Sequence, residues 1–272
     1  MSAGVTYRMG RIFGRDGRAM ILPVDHGLML GRVPGLEDPR PVVADALAAG
    51  CDGLLMSLGV ARATAQAFAV RDAPARLLTL DTLLRADDAD PGTGAVVVPV
   101  RQAAALGADA VKLLMAWDVP GAERTAVTKR IASVVEQAAR WEMPVMVEPI
   151  ALRLPRGEQA VETELHAARI AMELGADIVK IAYPGSPALL TSLRAELGLP
   201  VVILGGPGTS TAAGLIRLVG DAVSAVASGI VIGHQVWQRE PGERQAVMRA
   251  LVGVVHGRLT ADRAVEELSA VA

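Results

Sequence analysis

The sequence predicts a (β/α)₈ barrel from three observations: its length, its alternation of strand-like and helix-like segments, and the uninterrupted apolar character of the strands. The chain has 272 residues, of which 51% are hydrophobic and 21% charged. Barrels of about 250 residues commonly form one domain. Continuous apolar strands indicate burial on both faces, and strand–helix alternation indicates parallel βαβ units. We therefore expect one barrel domain spanning residues 1–272.

Eight short apolar segments fit the strands of such a barrel. They are Ala19–Val24, Gly53–Met56, Leu77–Leu80, Ala110–Leu114, Val145–Glu148, Ile178–Ile181, Val201–Leu204 and Ile230–Gly233. Longer amphipathic segments between them fit helices: Arg40–Ala49, Glu123–Trp141, Glu158–Leu174, Pro187–Glu196, Thr211–Val219 and Glu243–His256. An open doubly wound sheet is the main alternative, but no Gly-x-Gly-x-x-Gly follows the first strand, which disfavours a dinucleotide fold.

Three further segments extend this assignment. Arg85–Gly94 is rich in Asp and Gly and predicts a loop, and the strand-like run Ala95–Val98 follows it. A last helix, Ala261–Val271, is expected to cover the barrel or to pack on a partner subunit.

Composition and charge narrow the classes of partner. The net charge is −2 with a pI near 6.1, and no basic stripe indicates binding to nucleic acid or to an anionic membrane. Cys51 is the single cysteine, which argues against a disulfide framework and a thiolate metal site. No signal-peptide pattern and no apolar run near about 20 residues is visible. We therefore expect a cytoplasmic protein with no membrane partner.

Lysine is rare in this chain. Lys112, Lys129 and Lys180 are three of the 27 cationic residues, and the remainder are arginine. Lysine can lose its proton and attack a carbonyl group, whereas arginine cannot. The run Leu106–Lys112 also repeats as Leu174–Lys180, which places Lys112 and Lys180 at equivalent points of two predicted strands.

Four residues are predicted to meet at the barrel mouth: Asp25, Lys112, Glu148 and Lys180. Barrel active sites lie at the C-terminal ends of the strands. Two neighbouring buried lysines are expected to lower each other's pKa, and a neutral amine can then form a Schiff base with a ketone. Asp25 or Glu148 would carry the protons. The alternatives are a structural ion pair at Lys180, a Lys112–Glu148 salt bridge, and turn capping by Asp25.

A phosphate site is the second prediction. Gly205 and Gly206 follow the seventh predicted strand, and Gly233 and His234 follow the eighth. Barrels often hold phosphate with backbone N–H groups in these two loops, although a pair of tight turns would look the same. His26 is added as a substrate contact. The four histidines are scattered and predict no metal site, and we expect no cofactor.

Several of these segments together resemble the archaeal-type class I aldolases. The segments are Met9–Gly27, Gly175–Lys180, Gly205-Gly-Pro207 and Gly233–Gln238, and the resemblance runs from about residue 8 to 255. This superfamily includes fructose-bisphosphate, tagatose-bisphosphate and sulfofructose-phosphate aldolases and aminodideoxyheptulosonate synthases.

The resemblance implies that Lys180 forms the Schiff base and that Asp25 is the acidic residue of the first strand. The segment around Lys112 and the pair Val147-Glu148 look like the tagatose-bisphosphate branch, in which the glutamate is the proposed proton carrier. Leu154-Pro-Arg-Gly157 departs from the Tyr-Pro-Arg-Gly of other branches, which implies that Glu148 takes over the tyrosine's acid–base role.

A second departure concerns the phosphate. The family usually has Gly-Arg after the last strand, where this chain has Gly233-His234. Because histidine is shorter than arginine and only partly charged near pH 7, the departure implies weaker phosphate binding, binding mainly by backbone N–H groups, or a different group in place of phosphate.

The sequence therefore predicts a class I aldolase without a cofactor, acting on a phosphorylated small molecule and forming a homo-oligomer. Its substrate is a phosphorylated ketose, or dihydroxyacetone phosphate joined to an aldehyde such as aspartate semialdehyde, as in actinobacterial secondary metabolism. A transaldolase-like or thiolase-like transferase of the same superfamily and a non-catalytic sugar-phosphate sensor are the alternatives.

Overall fold

Eight parallel strands close into a barrel in the computed structural model, which describes residues 1–83, 94–205 and 211–271. They are β1 (Ala19–Pro23), β2 (Gly53–Met56), β3 (Ala75–Thr79), β6 (Ala110–Ala116), β7 (Val145–Ile150), β8 (Ile178–Ala182), β9 (Val201–Leu204) and β10 (Gly229–Val231). Neighbours in the barrel follow chain order, and β10 pairs with β1 to close it. The predicted barrel is confirmed, and the open sheet is not formed.

The region between β3 and β6 differs from the prediction. The chain leaves the barrel after Thr79 and forms β4 (Asp81–Thr82), which pairs antiparallel with β5 (Ala95–Val96). Only half of the strand-like run Ala95–Val98 is a strand, and β5 stays outside the barrel with both its side chains exposed. Of the predicted loop Arg85–Gly94, Gly94 alone lies within the described residues.

Twelve α-helices accompany the strands in the described ranges. All seven predicted helices are among them, six with shifted ends and the last, Ala261–Val271, with the ends predicted. They are α1 (Ala3–Ile12), α2 (Gly27–Leu30), α3 (Pro39–Ala49), α4 (Leu58–Ala63), α5 (Val100–Ala105), α6 (Gly121–Ala139), α7 (Glu158–Glu173), α8 (Pro187–Leu197), α9 (Ala212–Ser224), α10 (His234–Trp237), α11 (Pro241–Val255) and α12 (Ala261–Val271).

The ends of α8 illustrate how local sequence sets these boundaries. Proline occupies its first turn, where no N–H is needed, and the Ser186 side chain accepts the Leu189 N–H at 3.4 Å. Gly198 ends the helix with φ 65°, a left-handed conformation that suits glycine.

The first and last helices take positions that the sequence did not specify. α1 lies across the N-terminal end of the barrel, where Arg8 donates to the Ala108 carbonyl at 2.7 Å and Arg11 to Asp109 at 2.8 Å. α12 packs on α9 and α11, so it covers the outer helical layer and not the barrel itself.

Candidate active site

The barrel interior begins with an apolar layer near the N-terminal ends of the strands. Each barrel strand contributes to it, β1 and β3 with a second residue (Ala19 and Ala75) beside the common set of Ile21, Leu55, Leu77, Ala110, Met146, Ile178, Val202 and Val231. Ile12 and Phe13, at the end of α1, complete this cluster from below. Because side chains on a strand alternate with period two, the residues two positions further along each strand form the next interior layer.

Three charged residues occupy that next layer. Lys112, Glu148 and Lys180 each follow an apolar interior residue by two positions, on β6, β7 and β8. Lys112 Nζ lies 2.6 Å from Glu148 Oε2, and Lys180 Nζ lies 3.0 Å from Glu148 Oε1. All three are buried, with 3%, 7% and 7% of their surface exposed. One carboxylate is therefore shared by two ammonium groups.

The ion pairs determine how this cluster titrates. Burial is the largest influence on Glu148 and would raise its pKa, but the ammonium groups of Lys112 and Lys180 outweigh it and lower the pKa to about 2. Burial would lower the pKa of Lys112, but Glu148, Asp25 and Asp81 outweigh it, so the pKa of Lys112 is raised. The expectation that neighbouring lysines depress one another is wrong for Lys112, because the carboxylates around it dominate.

Asp25 lies two residues beyond the end of β1 and faces the same cluster. Its Oδ2 atom accepts a hydrogen bond from Thr79 Oγ1 at 2.6 Å, and its Oδ1 atom lies 3.6 Å from His26 Nδ1. Thr79 is the last residue of β3, and its hydroxyl orients the carboxylate of Asp25, which follows β1.

His26 immediately precedes α2 and lines the same mouth. Its ring meets Trp237 edge to face, with ring centroids 5.3 Å apart. Burial is the largest influence on the ring and lowers its pKa, which favours the neutral imidazole. Its Nδ1 atom is buried and has no hydrogen-bond partner among the described residues.

These residues enclose one cavity of about 130 Å³ at the C-terminal ends of the strands. Its lining comprises Asp25, His26, Leu28, Met29, Thr79, Asp81, Lys112, Leu114, Glu148, Ile150 and Lys180. All four predicted catalytic residues are brought together here. Leu154 is not part of this lining.

Asp81 is a cavity residue that sequence reasoning did not find. It is 1% exposed and belongs to the run Leu78-Thr-Leu-Asp-Thr82, which interleaves apolar and polar residues. Thr79 and Asp81 stand two positions apart, which would have placed both on the inner face. The strand was predicted to end at Leu80, so this signal was missed.

Gly205, Gly233 and His234 are the described residues of the predicted phosphate site; they lie after β9 and β10, and the cavity lining does not include them. A Cβ atom on Gly205 would lie 1.9 Å from Gln235 Oε1, and one on Gly233 would lie 2.8 Å from the Pro23 carbonyl oxygen. Both glycines therefore allow close approach between the two loops and β1. Gly206 lies outside the described residues. His234 is exposed, and partial desolvation lowers its pKa, which favours the neutral ring at pH 7.

Residues 1–83, 94–205 and 211–271 contain neither a metal-binding cluster nor a membrane-spanning helix. Within these ranges no group of three or more His, Cys, Asp or Glu side chains is placed to hold a metal ion. No helix of the same ranges is long and apolar enough to cross a bilayer.

Comparison with known proteins places the chain in a family. The model described as "DeoC/LacD family aldolase" matches residues 19–239. The class 1 fructose-bisphosphate aldolase of Thermoproteus tenax is 32% identical over 267 residues, covering 94% of this chain and 96% of that protein. The 2-amino-4,5-dihydroxy-6-oxo-7-(phosphonooxy)heptanoate synthase of Streptomyces griseus is 29% identical over 242 residues, covering 86% and 85%.

A solved structure is similar over a comparable length. It is an archaeal fructose-1,6-bisphosphate aldolase whose catalytic lysine is covalently bound to the carbinolamine intermediate. It is 30% identical, has a TM-score of 0.77, and covers 93% of this chain and 100% of that one. The family match covers most of the barrel, including every strand that carries a charged residue into the cavity. The chain therefore belongs to the DeoC/LacD aldolase family and is a carbon–carbon lyase of the class I, Schiff-base-forming type.

Proposed function

We propose that this enzyme forms or cleaves a phosphorylated ketose, with dihydroxyacetone phosphate as the ketone component and Lys180 as the Schiff-base residue. The observation that carries the proposal is the 3.0 Å contact between Lys180 Nζ and Glu148 Oε1 inside a buried cavity. An amine and a proton carrier stand side by side there, as covalent carbonyl chemistry requires. The covalently bound lysine of the archaeal relative supports this assignment.

The proposed reaction begins at Lys180. Once Lys180 has released its proton, the neutral amine attacks the ketone carbonyl, and the carbinolamine takes a proton back and loses water to give an iminium. Glu148 removes the proton from the hydroxyl on the departing carbon. The C–C bond then breaks, its electron pair moves into the iminium to give an enamine, and the aldehyde leaves. Protonation of the enamine and hydrolysis release the ketone and restore Lys180.

Asp25 and Lys112 assist this chemistry. We propose that Asp25 accepts a hydrogen bond from a ketose hydroxyl through Oδ1. Its Oδ2 atom already accepts the Thr79 hydroxyl at 2.6 Å, which fixes the orientation of the carboxylate. We propose that Lys112 orients Glu148 and favours its ionised form, because Lys112 Nζ lies 2.6 Å from Glu148 Oε2. In the reverse direction the same groups join the enamine to an aldehyde.

We assign the phosphate to the loops after β9 and β10, with His26 as a further substrate contact. Gly205 and Gly233 support this assignment by the close approach that they permit, and Gly206 and His234 follow them in sequence. Because the ring of His234 favours the neutral form near pH 7, backbone N–H groups would supply most of the binding.

One observation favours a particular aldehyde. The Streptomyces griseus relative is named for a seven-carbon compound with hydroxyls at C4 and C5, a ketone at C6 and phosphate at C7. Splitting its C4–C5 bond leaves dihydroxyacetone phosphate and aspartate semialdehyde. We therefore place aspartate semialdehyde beside glyceraldehyde 3-phosphate as the two acceptors to test.

The decisive experiment is reductive trapping. The protein is incubated with dihydroxyacetone phosphate and borohydride, and the adduct is mapped by mass spectrometry in wild type, Lys180→Ala, Lys112→Ala and Lys129→Ala. We expect an adduct on Lys180 that is lost only in Lys180→Ala. Lys129 is an exposed lysine on α6 and controls for nonspecific reduction. An adduct at another lysine would contradict the assignment of Lys180.

The same preparation distinguishes the alternatives. An aldolase releases free ketone and aldehyde, whereas a transferase turns over only when a second acceptor is added. A sugar-phosphate sensor would bind dihydroxyacetone phosphate in calorimetry without giving any adduct or product, and that outcome would contradict the proposed function.

A further inference from the structure

Asp81 occupies the point where the chain leaves the barrel. In β3, Thr79 pairs with Lys112 of β6, and the Leu80 N–H donates to the Lys112 carbonyl at 3.0 Å. The backbone then turns away, and both carboxylate oxygens of Asp81 accept the Leu114 N–H at 3.0 Å. The side chain therefore replaces the backbone acceptor that the departing strand no longer offers, two residues beyond Lys112.

Charged groups from three elements face this carboxylate. Lys112 on β6 and Glu148 on β7 line the same cavity as Asp81, and Arg130 on α6 places its Nη2 atom 3.4 Å from Asp81 Oδ2. Burial raises the pKa of Asp81 to about 6, although both cations oppose this shift. Asp81 is thus largely ionised at pH 7 and above, although it is 1% exposed.

The proposed reaction changes the charge that Lys112 experiences. When Glu148 takes the hydroxyl proton it becomes neutral, and the contact at 2.6 Å no longer provides a negative charge. Asp25 is engaged with the substrate in that scheme. Asp81 is the remaining carboxylate among the described residues that raise the pKa of Lys112, and hydrogen bonds to the backbone of β6 hold it in place.

We propose that Asp81 is a positioning residue that keeps the Lys112 ammonium charged and oriented while Glu148 carries the substrate proton. This inference rests on the proposed function, since it assigns Asp81 to a step of that reaction. A purely structural role would consist of the acceptor for the Leu114 N–H, which an asparagine keeps, and the ion pair with Arg130, which it loses. Neither contact involves Lys112, so the titration of Lys112 distinguishes the two roles.

The chain offers a matched control for that distinction. Asp177, before β8 at the opposite end of the barrel, accepts the Val145 N–H at 2.9 Å. Burial is the largest influence on it and raises its pKa, and no lysine side chain is among the groups that shift it. Asp177→Asn therefore makes the same change from carboxylate to amide as Asp81→Asn. Its side chain also accepts a backbone N–H, but no lysine shifts its pKa.

The first test measures the lysines directly. With three lysines in the chain, ¹³Cε-lysine labelling gives three NMR signals, assigned by single Lys→Arg substitutions. We expect Asp81→Asn to lower the pKa of Lys112 by about one unit or more, while Asp177→Asn leaves it unchanged and the exposed Lys129 responds to neither. Equal Lys112 titrations in both Asp variants would overturn the proposal.

The second test concerns turnover. We expect kcat for ketose cleavage to fall at least tenfold in Asp81→Asn with KM within twofold, and Asp81→Glu to recover most of kcat. The borohydride adduct on Lys180 should persist. Wild-type kcat and an unchanged pH profile in Asp81→Asn would contradict the inference.

Two measurements on wild type distinguish failure of this inference from misfolding of a variant and from failure of the proposed function. In wild type, the Lys112 signal should show a step near pH 6 as Asp81 titrates, and its absence overturns the inference even if Asp81→Asn does not fold. Failure of wild type to form any adduct would refute the proposed function alone, because the lysine titration still decides whether Asp81 controls Lys112.

Discussion

Glu148 is the residue on which the resting charge balance of the site depends, since it contacts both buried lysines at 2.6 and 3.0 Å. In Glu148→Gln the shape is kept, but the proposed proton carrier and the shared negative charge are lost. We expect kcat for ketose cleavage to fall roughly 10²- to 10⁴-fold. The free energy of unfolding should fall by about 3–5 kcal/mol, because two ammonium groups stay buried without their carboxylate.

Steady-state kinetics and urea denaturation measure both effects, and Glu164→Gln is the control. Glu164 is also a buried glutamate, and it accepts the Ala151 N–H at 3.2 Å and Arg156 at 2.8 Å on the outer side of β7. If both variants kept the same kcat, Glu148 would not be the proton carrier.

His234 provides a prediction about phosphate. Desolvation lowers its pKa, so the ring brings little positive charge at pH 7.5. His234→Arg places a permanent cation beside the loop, and one charged hydrogen bond corresponds to roughly a tenfold decrease in KM for dihydroxyacetone phosphate. Unphosphorylated dihydroxyacetone, measured in parallel, should show an unchanged KM. An equal decrease in KM for both ketones would show that the phosphate does not bind beside His234.

At the scale of elements, the contact between β1 and β10 leaves no room for a side chain at Gly229. Gly229 has φ 139°, and a Cβ atom there would lie 2.0 Å from the Ala19 carbonyl oxygen. Since backbone cannot yield as a flexible side chain does, we expect Gly229→Ala to lower the free energy of unfolding by about 3 kcal/mol or more. Urea denaturation followed by circular dichroism measures this loss.

Gly10 is the matched control for that substitution. It lies inside α1 with nothing within 4 Å of an added Cβ atom. Gly10→Ala should raise the free energy of unfolding by about 0.5–1 kcal/mol, because alanine favours the helix. A stability loss at Gly10 equal to that at Gly229 would show that the contact between β1 and β10 is not the cause.

The helices and strands that were predicted from the sequence are those with a strong apolar pattern. The barrel strands are mostly apolar, α7 buries a face at helical spacing, and α11 is buried on all sides from Ala250 to Val255. α1 was not predicted, although Val5, Met9 and Ile12 lie at helical spacing, because the helix is ten residues long and Ile12 is its one fully buried residue. β4 and β5 are two residues each, too short for any period to show.

At the scale of the whole molecule, His256 joins three distant segments below the barrel. At the end of α11, its Nδ1 atom contacts Asp16 at 2.7 Å and its Nε2 atom contacts Asp52 at 2.9 Å. The hydrogen bond to Asp52 is the largest influence and raises the pKa of His256. A raised pKa means that the stabilisation is complete below the unfolded value of about 6.5 and is lost as pH rises through the folded value.

We therefore expect His256→Gln to reduce the free energy of unfolding more at pH 6 than at pH 9. Denaturant titrations of wild type and variant at both pH values measure the difference. His166→Gln, at an exposed position of α7, is the control and should give the same small effect at each pH. A His256 effect that grows towards pH 9 would reverse the assigned sign.

The sequence by itself determined the barrel and the four residues at its mouth. Continuous apolar strands and the residues at their ends are local features, so the sequence alone places Asp25, Lys112, Glu148 and Lys180 together. The tertiary structure decided their charge states. The pKa of Lys112 depends on how many carboxylates surround it, and Asp81 reaches it only because the chain leaves the barrel after Thr79. Distances between strands control electrostatics in a buried site, and no local pattern encodes them.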